Sequence, residues 1–316
     1  MKSGLLLTAA MAAVLLAGAN SARAASDFTT ISDPAGVSTN AMGINDAGVV
    51  VGGSTDSGGN SSGFSLTGAT FTPVDVPGAA MTTASGINNA GVITGYYQNA
   101  FGVHGFTQTG ATATPFDEPN AATGGKTYGS ATNAAGTTVG YYFDNALALH
   151  GFSVTTGTYT SLDVTGLGSV VSTQALGINA AGTIVGSYSD GTQEHGFVDV
   201  GGNYTAVNAP NGSKGTVVTS IDSVGDLGGY YIDGGGTTHG FVDVDGTFYT
   251  VDDPNAGTVT EIAGFNSVGQ VVGYYVANSD DVFGFTADVT EPRTLAMFGL
   301  ATLGMLGLRR GRSFGF

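Results

Sequence analysis

Residues 82–119 read TTASGINNAGVITGYYQNAFGVHGFTQTGATATPFDEP, and the order of residue types along this stretch is that of four short strands. Thr82 to Ile87 forms the first. Asn88-Asn89-Ala90-Gly91 supplies a turn with Asn at its first and Gly at its fourth position, which is type I turn chemistry. Val92 to Tyr97, rich in β-branched and aromatic residues, reads as the second strand. A variable loop, Gln98 to Val103, leads to a third strand around His104-Gly105-Phe106-Thr107. A glycine turn at Gly110 opens a fourth, Ala113 to Asp117, which Pro119 closes.

This unit is written six times. Aligning on an Asn followed three residues later by Gly gives Asn45/Gly48, Asn88/Gly91, Asn133/Gly136, Asn179/Gly182, Asp222/Gly225 and Asn266/Gly269, in steps of 43 to 46 residues. A second glycine stands four residues further on (Gly52, Gly95, Gly140, Gly186, Gly229, Gly273). A Gly-Phe pair follows in every unit, from Gly63-Phe64 to Gly284-Phe285. Four strands in about 44 residues is the content of one β-propeller blade.

The two ends of the array turn this into an argument for closure. Five units finish in an Asp-x-Pro-like sequence, whereas the last stops after its third strand, Phe285 to Val289. The missing fourth strand is found at the front, in Phe28 to Pro34, one repeat length before Pro77. The fold expected is all-β, a six-bladed β-propeller of four-stranded blades closed by an N-terminal strand in the last blade. Pairing the two extremities removes edges that would otherwise be open to aggregation. A β-solenoid is the alternative, and it would require polar capping units that the sequence does not show.

Composition agrees with strands and turns. Of 316 residues, 54 are glycine, against an ordinary share of about 7%, and 10% are charged. Glycine costs about 1 kcal/mol in a helix interior, so long helices are excluded. With no cysteine there is no disulfide, thiolate metal site or cysteine nucleophile. Residues 26–290 hold 23 acidic residues against two basic ones, Lys126 and Lys214. Nucleic acid and anionic lipid are therefore poor partners, since binding to them depends on Lys and Arg.

The other basic residues sit in the two ends. Lys2, an apolar run from Leu5 to Gly18 and Ala22-Arg23-Ala24 have the layout of a secretory signal peptide, residues 1–25. At the other end Glu291-Pro292 precedes an uncharged apolar run, Thr294 to Leu308, and then Arg309, Arg310 and Arg312. A helix of fifteen residues rises about 22 Å, short of a 30 Å hydrocarbon core. It would engage the inner membrane transiently, with the arginines held on the cytoplasmic side.

Residues 291–316 resemble the PEP-CTERM sorting signal of Gram-negative bacteria in their Glu291-Pro292 motif, apolar helix and arginine cluster, Arg309 and Arg310. The first proline of the family motif is replaced by Thr290. The resemblance implies an exosortase-type sorting protease as partner, and delivery to the cell surface or extracellular matrix. The six units, Gly-Ile-Asn-x-x-Gly-x-(Val/Ile)-x-Gly with a later His-Gly-Phe, resemble the HAF repeat of secreted bacterial proteins over residues 39–289. That resemblance implies an exported repeat protein and no established reaction.

Candidate chemistry has to survive the repeat. His104, His150, His195 and His239 all fall directly before Gly-Phe. On a propeller such positions are spread around a ring, which suits packing or hydrogen bonding inside each blade better than a shared metal or catalytic site. Asp75, Asp117, Asp163 and Asp252, beside the turn prolines, read as carboxylates capping backbone N–H groups two residues on. Gly59-Asn60-Ser61-Ser62-Gly63 fits a nucleophile-elbow pattern without the strand-to-helix context it needs. Gly125-Lys126-Thr127 lacks the first glycine of a phosphate loop, and Asp243-Val244-Asp245-Gly246 lacks the glutamate of a calcium loop, leaving at most weak Ca²⁺ binding. The tyrosine pairs of strand two (Tyr96-Tyr97, Tyr141-Tyr142, Tyr230-Tyr231, Tyr274-Tyr275) send one ring to each face of the blade, and those near the blade ends suit stacking on sugar rings.

The reading is an exported cell-surface or matrix module of structural or exopolysaccharide-binding character, with no cofactor and no catalytic residue. Gly48, Gly91, Gly136, Gly182, Gly225 and Gly269 and the four histidines are its structural positions. The alternative is a polysaccharide-processing hydrolase or lyase on the same scaffold. An enzyme would gather odd polar residues from several units on one face. The loops after strand two are the expected place for a site, with Asp144, Asp190, Asp233 and Asp280 available to a cation or polar ligand.

Overall fold

The computed structural model describes residues 26–289. The expected signal peptide and the sorting residues Glu291, Pro292, Arg309 and Arg310 lie outside the described residues.

Strand β1 (Ser26–Ile31) comes first. Blade one is β2 (Ser38–Ile44), β3 (Val50–Thr55), β4 (Ser61–Thr67) and β5 (Thr70–Val74). Blade two is β6 (Met81–Ile87), β7 (Ile93–Asn99), β8 (Gly102–Thr109) and β9 (Thr112–Phe116). Blade three is β10 (Thr127–Thr132), β11 (Thr137–Phe143), β12 (Leu149–Thr155) and β13 (Thr158–Ser161). Blade four is β14 (Ser172–Ile178), β15 (Ile184–Ser189), β16 (Glu194–Val200) and β17 (Asn203–Val207). Blade five is β18 (Gly215–Ile221), β19 (Leu227–Ile232), β20 (Thr238–Val244) and β21 (Thr247–Val251). Blade six is β22 (Ala256–Phe265), β23 (Gln270–Ala277) and β24 (Val282–Asp288), and its fourth strand is β1, antiparallel to β24 with Thr30 opposite Phe285.

Every blade is an antiparallel meander. Single parallel pairings, Glu194 with Gly215 and Thr238 with Val259, link the third strand of blade four to the first of blade five and the third of blade five to the first of blade six. Strand β2 packs on β22, β23 and β24, so the ring is shut and the open solenoid is excluded. Local boundaries differ slightly from expectation. Val92 belongs to the turn, because its N–H reaches Asn88 Oδ1 and its carbonyl accepts the Asn88 N–H. The expected loop Gln98 to Val103 narrows to Ala100-Phe101, since Gln98 pairs with Val103 and Asn99 with Gly102.

The core lies between blades. The phenylalanines of the Gly-Phe pairs, Phe106, Phe152, Phe197, Phe241 and Phe285, are completely buried, and each contributes about 2–3 kcal/mol through apolar area. Val51, Val74 and Val76 of blade one pack on Ala84, Ile93, Tyr97 and Phe106 of blade two. At the seam, Ile31 of β1 and Val272 join Ile44, Val50, Phe64 and Leu66 of blade one.

The repeated Asn ties the ring together at one end. Its Oδ1 accepts N–H groups two and four residues on, holding a turn whose glycine takes positive φ (Gly48 +74°, Gly91 +77°, Gly136 +80°, Gly182 +85°, Gly225 +104°, Gly269 +84°). Its Nδ2 donates to the backbone carbonyl of the next unit's Asn or Asp: Asn45 to Asn88, Asn88 to Asn133, Asn133 to Asn179, Asn179 to Asp222, and Asn266 to Asn45, at 3.0–3.3 Å. One link is missing. Asp222 has no amide donor to offer Asn266, and its Oδ1 accepts the N–H groups of Val224, Gly225 and Asp226.

Burial, and after it the neighbouring Asp226, pushes the Asp222 carboxyl above its ordinary value, against its backbone hydrogen bonds. A folded-state pKa raised above the unfolded one means that ionisation opposes folding, and the opposition grows as pH rises through that interval. Asp222→Asn should therefore complete the ring and raise stability at neutral pH by about 1 kcal/mol, or about 2–4 °C in Tm. The gain should shrink as pH falls into the carboxylate range, and thermal melts at pH 7 and pH 3.5 measure it.

Candidate functional site

The turns that carry the Asn ring occupy one end of the axis. The loops joining strands two and three, and the connections between blades, occupy the other. Three small cavities lie on the axis. Two, of about 130 and 90 Å³, touch all six blades near the Asn ring. The third, of about 150 Å³, is floored by Met42, Ser85, Ser130, Leu176, Thr219 and Ala263, one from each first strand, and walled by Tyr96, Tyr128 and Tyr141.

A bulge builds this end of the axis. In every blade the pairing of strands one and two slips by one residue, between Ala41 and Gly43, Ala84 and Gly86, Gly129 and Ala131, Ala175 and Gly177, Val218 and Ser220, and Ile262 and Gly264. A bulge bends its strand and re-aims the side chains beside it. The position two residues before each bulged residue lies five ahead of the turn Asn or Asp. There the six units carry six different residues: Asn40, Thr83, Tyr128, Gln174, Val217 and Glu261. Their cross-strand partners are Gly53, Tyr96, Tyr141, Ser187, Tyr230 and Tyr274.

Several of these positions touch, most within one blade and Tyr96–Tyr128 across two. Tyr96 packs edge-on against Tyr128 with centroids 5.0 Å apart, and Tyr128 stacks on Tyr141 at 4.8 Å and 11°. Ser187 donates to Glu194 at 2.7 Å, with Gln174 Oε1 3.5 Å from the same hydroxyl. The Tyr274 hydroxyl bonds to the Glu261 carboxylate. Asn40 Oδ1 is buried and has no hydrogen-bond partner.

Burial and neighbouring acidic groups together oppose ionisation of the tyrosines. Burial raises Tyr141, and Tyr96 and Tyr128 add to it. Burial raises Tyr230, reinforced by Glu261, Glu194 and Tyr141. Tyr274 is raised by burial and then by Glu261. Burial also lifts Glu261 above the usual carboxylate value, against its hydrogen bond from Tyr274. The tyrosines are accordingly neutral donors at physiological pH. The axial cavity offers the faces and hydroxyls of Tyr96, Tyr128 and Tyr141 with the Ser85, Ser130 and Thr219 positions below them, a set suited to a polyhydroxylated ligand.

The histidines lie elsewhere and do not converge. In each blade Nδ1 meets the residue thirteen positions on: Asp117 at 2.8 Å from His104, Asp163 at 3.0 Å from His150, Asn208 at 2.8 Å from His195 and Asp252 at 2.8 Å from His239. The second ring nitrogen faces Asn99, Asp144, Asp190 or Asp233 of the neighbouring loop at 3.2–3.7 Å. Each imidazole packs against the second tyrosine of strand two, as His150 does on Tyr142 and His239 on Tyr231.

This corrects the expected role of the turn carboxylates. Asp117, Asp163 and Asp252 bond histidine, and the capping of an N–H two residues on falls to the next position, where Glu118 serves Asn120 and Asp253 serves Asn255. The N–H of that same position donates to a threonine hydroxyl in all six units: Thr39, Thr82, Thr127, Thr173, Thr216 and Thr260. Three of the four loop carboxylates are engaged within their own loops. Asp144 and Asp233 each close their own loop through N–H groups two to four residues on, and Asp190 is held low first by the Thr192 hydroxyl and then by backbone N–H groups. No group of three or more His, Cys, Asp or Glu among the described residues is arranged to hold a metal ion.

No protein-family model matches the chain, and no curated protein does. Among solved structures it is similar to AofleA from Arthrobotrys oligospora, with 12% identity and a TM-score of 0.49 over 84% of this chain and 90% of that one. It is similar to the Aleuria aurantia lectin in complex with Fucα1-6GlcNAc, with 14% identity and a TM-score of 0.49 over 78% and 91% of the two chains. A gluconolactonase from Xanthomonas campestris matches with 11% identity and a TM-score of 0.49 over 84% and 92%. These likenesses concern overall architecture and carry no residue of the axial ring across.

Proposed function

We propose that the chain is an exported surface or matrix module that binds a glycan in the axial ring at its loop end. The observation behind this reading is that tyrosines of blades two and three wall an axial cavity to which all six first strands contribute. Six different residues occupy the position two before the bulged residue, with Tyr128 among them stacked on Tyr141, whereas the histidines and loop aspartates stay bound within their own blades. Export and sorting by an exosortase rest on residues 1–25 and 291–316 and belong to the same proposal. Glycan microarray binding by the full-length protein tests it. Tyr141→Ala and Tyr230→Ala should each weaken affinity about tenfold, the worth of one aromatic contact of about 1.4 kcal/mol. Val200→Ser, at a 59% exposed position on the opposite end, should change nothing. Turnover of the bound polysaccharide would favour the processing enzyme instead, with Glu194 and Glu261 on either side of Tyr230 as the carboxylates to remove.

A further inference from the structure

The tyrosine-walled cavity is a blind chamber of limited size. The six first-strand residues that floor it also line the cavity of about 90 Å³ beneath, so they form a waist between the two. A further ring, which includes Ile44, Ile178 and Phe265, stands between that second cavity and the one at the Asn turns. A ligand entering from the loop end therefore meets a floor and does not thread the axis. Each water-sized group needs roughly 10–15 Å³ of such space. A cavity of about 150 Å³ thus takes roughly ten to fifteen groups, enough for the dozen or so heavy atoms of one hexose and too little for two.

Its lining divides by chemistry. Tyr96 meets Tyr128 edge-on and Tyr128 stacks on Tyr141, so the three rings form one aromatic wall on blades two and three. The same two blades place Ser85 and Ser130 in the floor, while Met42, Leu176 and Ala263 of blades one, four and six make its apolar side. Thr219 is already engaged, its hydroxyl donating to the Ile262 carbonyl at 2.7 Å. No lining residue is charged. The two lysines of residues 26–289 lie elsewhere, Lys126 over the Phe143 ring at 5.6 Å from its centroid and Lys214 Nζ beside Gly236. A carboxylate, sulfate or ammonium group carried into this space would give up its hydration and find no opposite charge. A pyranose, with an apolar C–H face and a polar rim, matches both the wall and the serines.

We propose that the cavity takes the terminal unit of a glycan, one uncharged hexose, with its ring face on the tyrosine wall, its hydroxyl rim toward Ser85 and Ser130, and the rest of the chain leaving at the loop end. This rests on the axial glycan-binding reading and adds which part of the glycan is held and that it bears no charge.

Calorimetric titration of the full-length protein tests the proposal, with the methyl glycosides of glucose, galactose and mannose, their uronate and 2-amino counterparts, and linear oligomers of two to six units of each neutral hexose. At least one neutral methyl glycoside should bind, and its charged counterparts should bind at least tenfold more weakly. Lengthening the chain to six units should improve affinity less than about threefold. Ala263→Leu, which fills the floor from blade six, should weaken binding at least tenfold, and Ser130→Ala, a smaller change, about fivefold. Affinity that first appears with three or more units, or tighter binding of a charged counterpart, overturns the terminal-unit proposal and leaves the glycan reading standing. So does binding of a neutral glycoside that neither variant alters, because the sugar then sits outside this cavity. Binding of none of these sugars overturns the terminal-unit proposal, and a blank glycan microarray beside it overturns the glycan reading as well.

Discussion

Gly140→Ala is expected to remove a large share of the stability of the ring. Gly140 pairs with Gly129 across the bulge of blade three, and a methyl group built on it would overlap the Tyr128 carbonyl oxygen while lying 2.9 Å from the Phe152 ring. The carbonyl is backbone, fixed by the slip in register, and Phe152 is fully buried, so neither can give way. Overpacking a rigid site of this kind costs about 3 kcal/mol or more, a large share of the 5–15 kcal/mol that holds a domain folded. A fall in Tm of roughly 10 °C follows for a domain of this size. Gly136→Ala is the comparison. Gly136 has φ of +80° and nothing within 4 Å of an added methyl, so only the left-handed conformation is penalised, by about 1–2 kcal/mol. Equal losses in the two variants, measured by thermal or urea melts, would defeat the account of the bulge.

The second large effect concerns closure. Deleting residues 26–32 removes β1, strips Ile31 from the seam and Phe28 from its contact with Phe285 at a centroid distance of 5.4 Å, and leaves β24 with an unpaired edge. The shortened protein should unfold at least roughly 10 °C lower, with a broadened transition, and form dimers and larger species through the open edge. A peptide spanning residues 26–34, added in excess, should return it to a monomer. Size-exclusion chromatography with light scattering reads the outcome. A monomeric deletion variant with unchanged Tm would show that closure at this seam contributes nothing.

Much of this architecture was legible in the residues, for a physical reason. Each unit solves the same packing problem, so the glycine of positive φ, the buried Phe after Gly and the Asn of the turn recur in fixed register and advertise themselves. The displaced fourth strand was legible because an open edge needs a partner. What the residues did not disclose is mostly long-range. That Asn88 would reach Asn133 in the next blade follows only once the turns converge on the axis. The threonine that receives an N–H in every unit stands in plain sight, six positions ahead of the Asn or Asp, but a hydroxyl in a strand has no distinctive signature until its donor is placed.

The axial ring escaped sequence reading in a different way. Its strand-two tyrosines are visible as sugar-stacking candidates, but its strand-one members lie where strand composition alone suggests ordinary packing. The loops between strands two and three prove short and self-bonded, as at Asp144 and Asp233. The signal that was available is the column Asn40, Thr83, Tyr128, Gln174, Val217 and Glu261, in which an otherwise regular repeat changes residue every time. Asp117, Asp163 and Asp252 were assigned to the wrong partner because a histidine thirteen residues upstream is adjacent only after strands three and four have paired.

The pairing of β1 with β24 also sets an order of events. The Thr30 hydroxyl lies 3.5 Å from that of Tyr275, 245 residues away, so the first of the described strands to be synthesised is the last of them to find its place. Until the final hairpin exists, that segment has to wait unpaired while five blades assemble behind it, and bringing such distant parts together is the slow step of a topology like this. The molecule thereby checks its own completeness: a chain interrupted anywhere before Val282 has no seat for its beginning, and only a finished copy can shut.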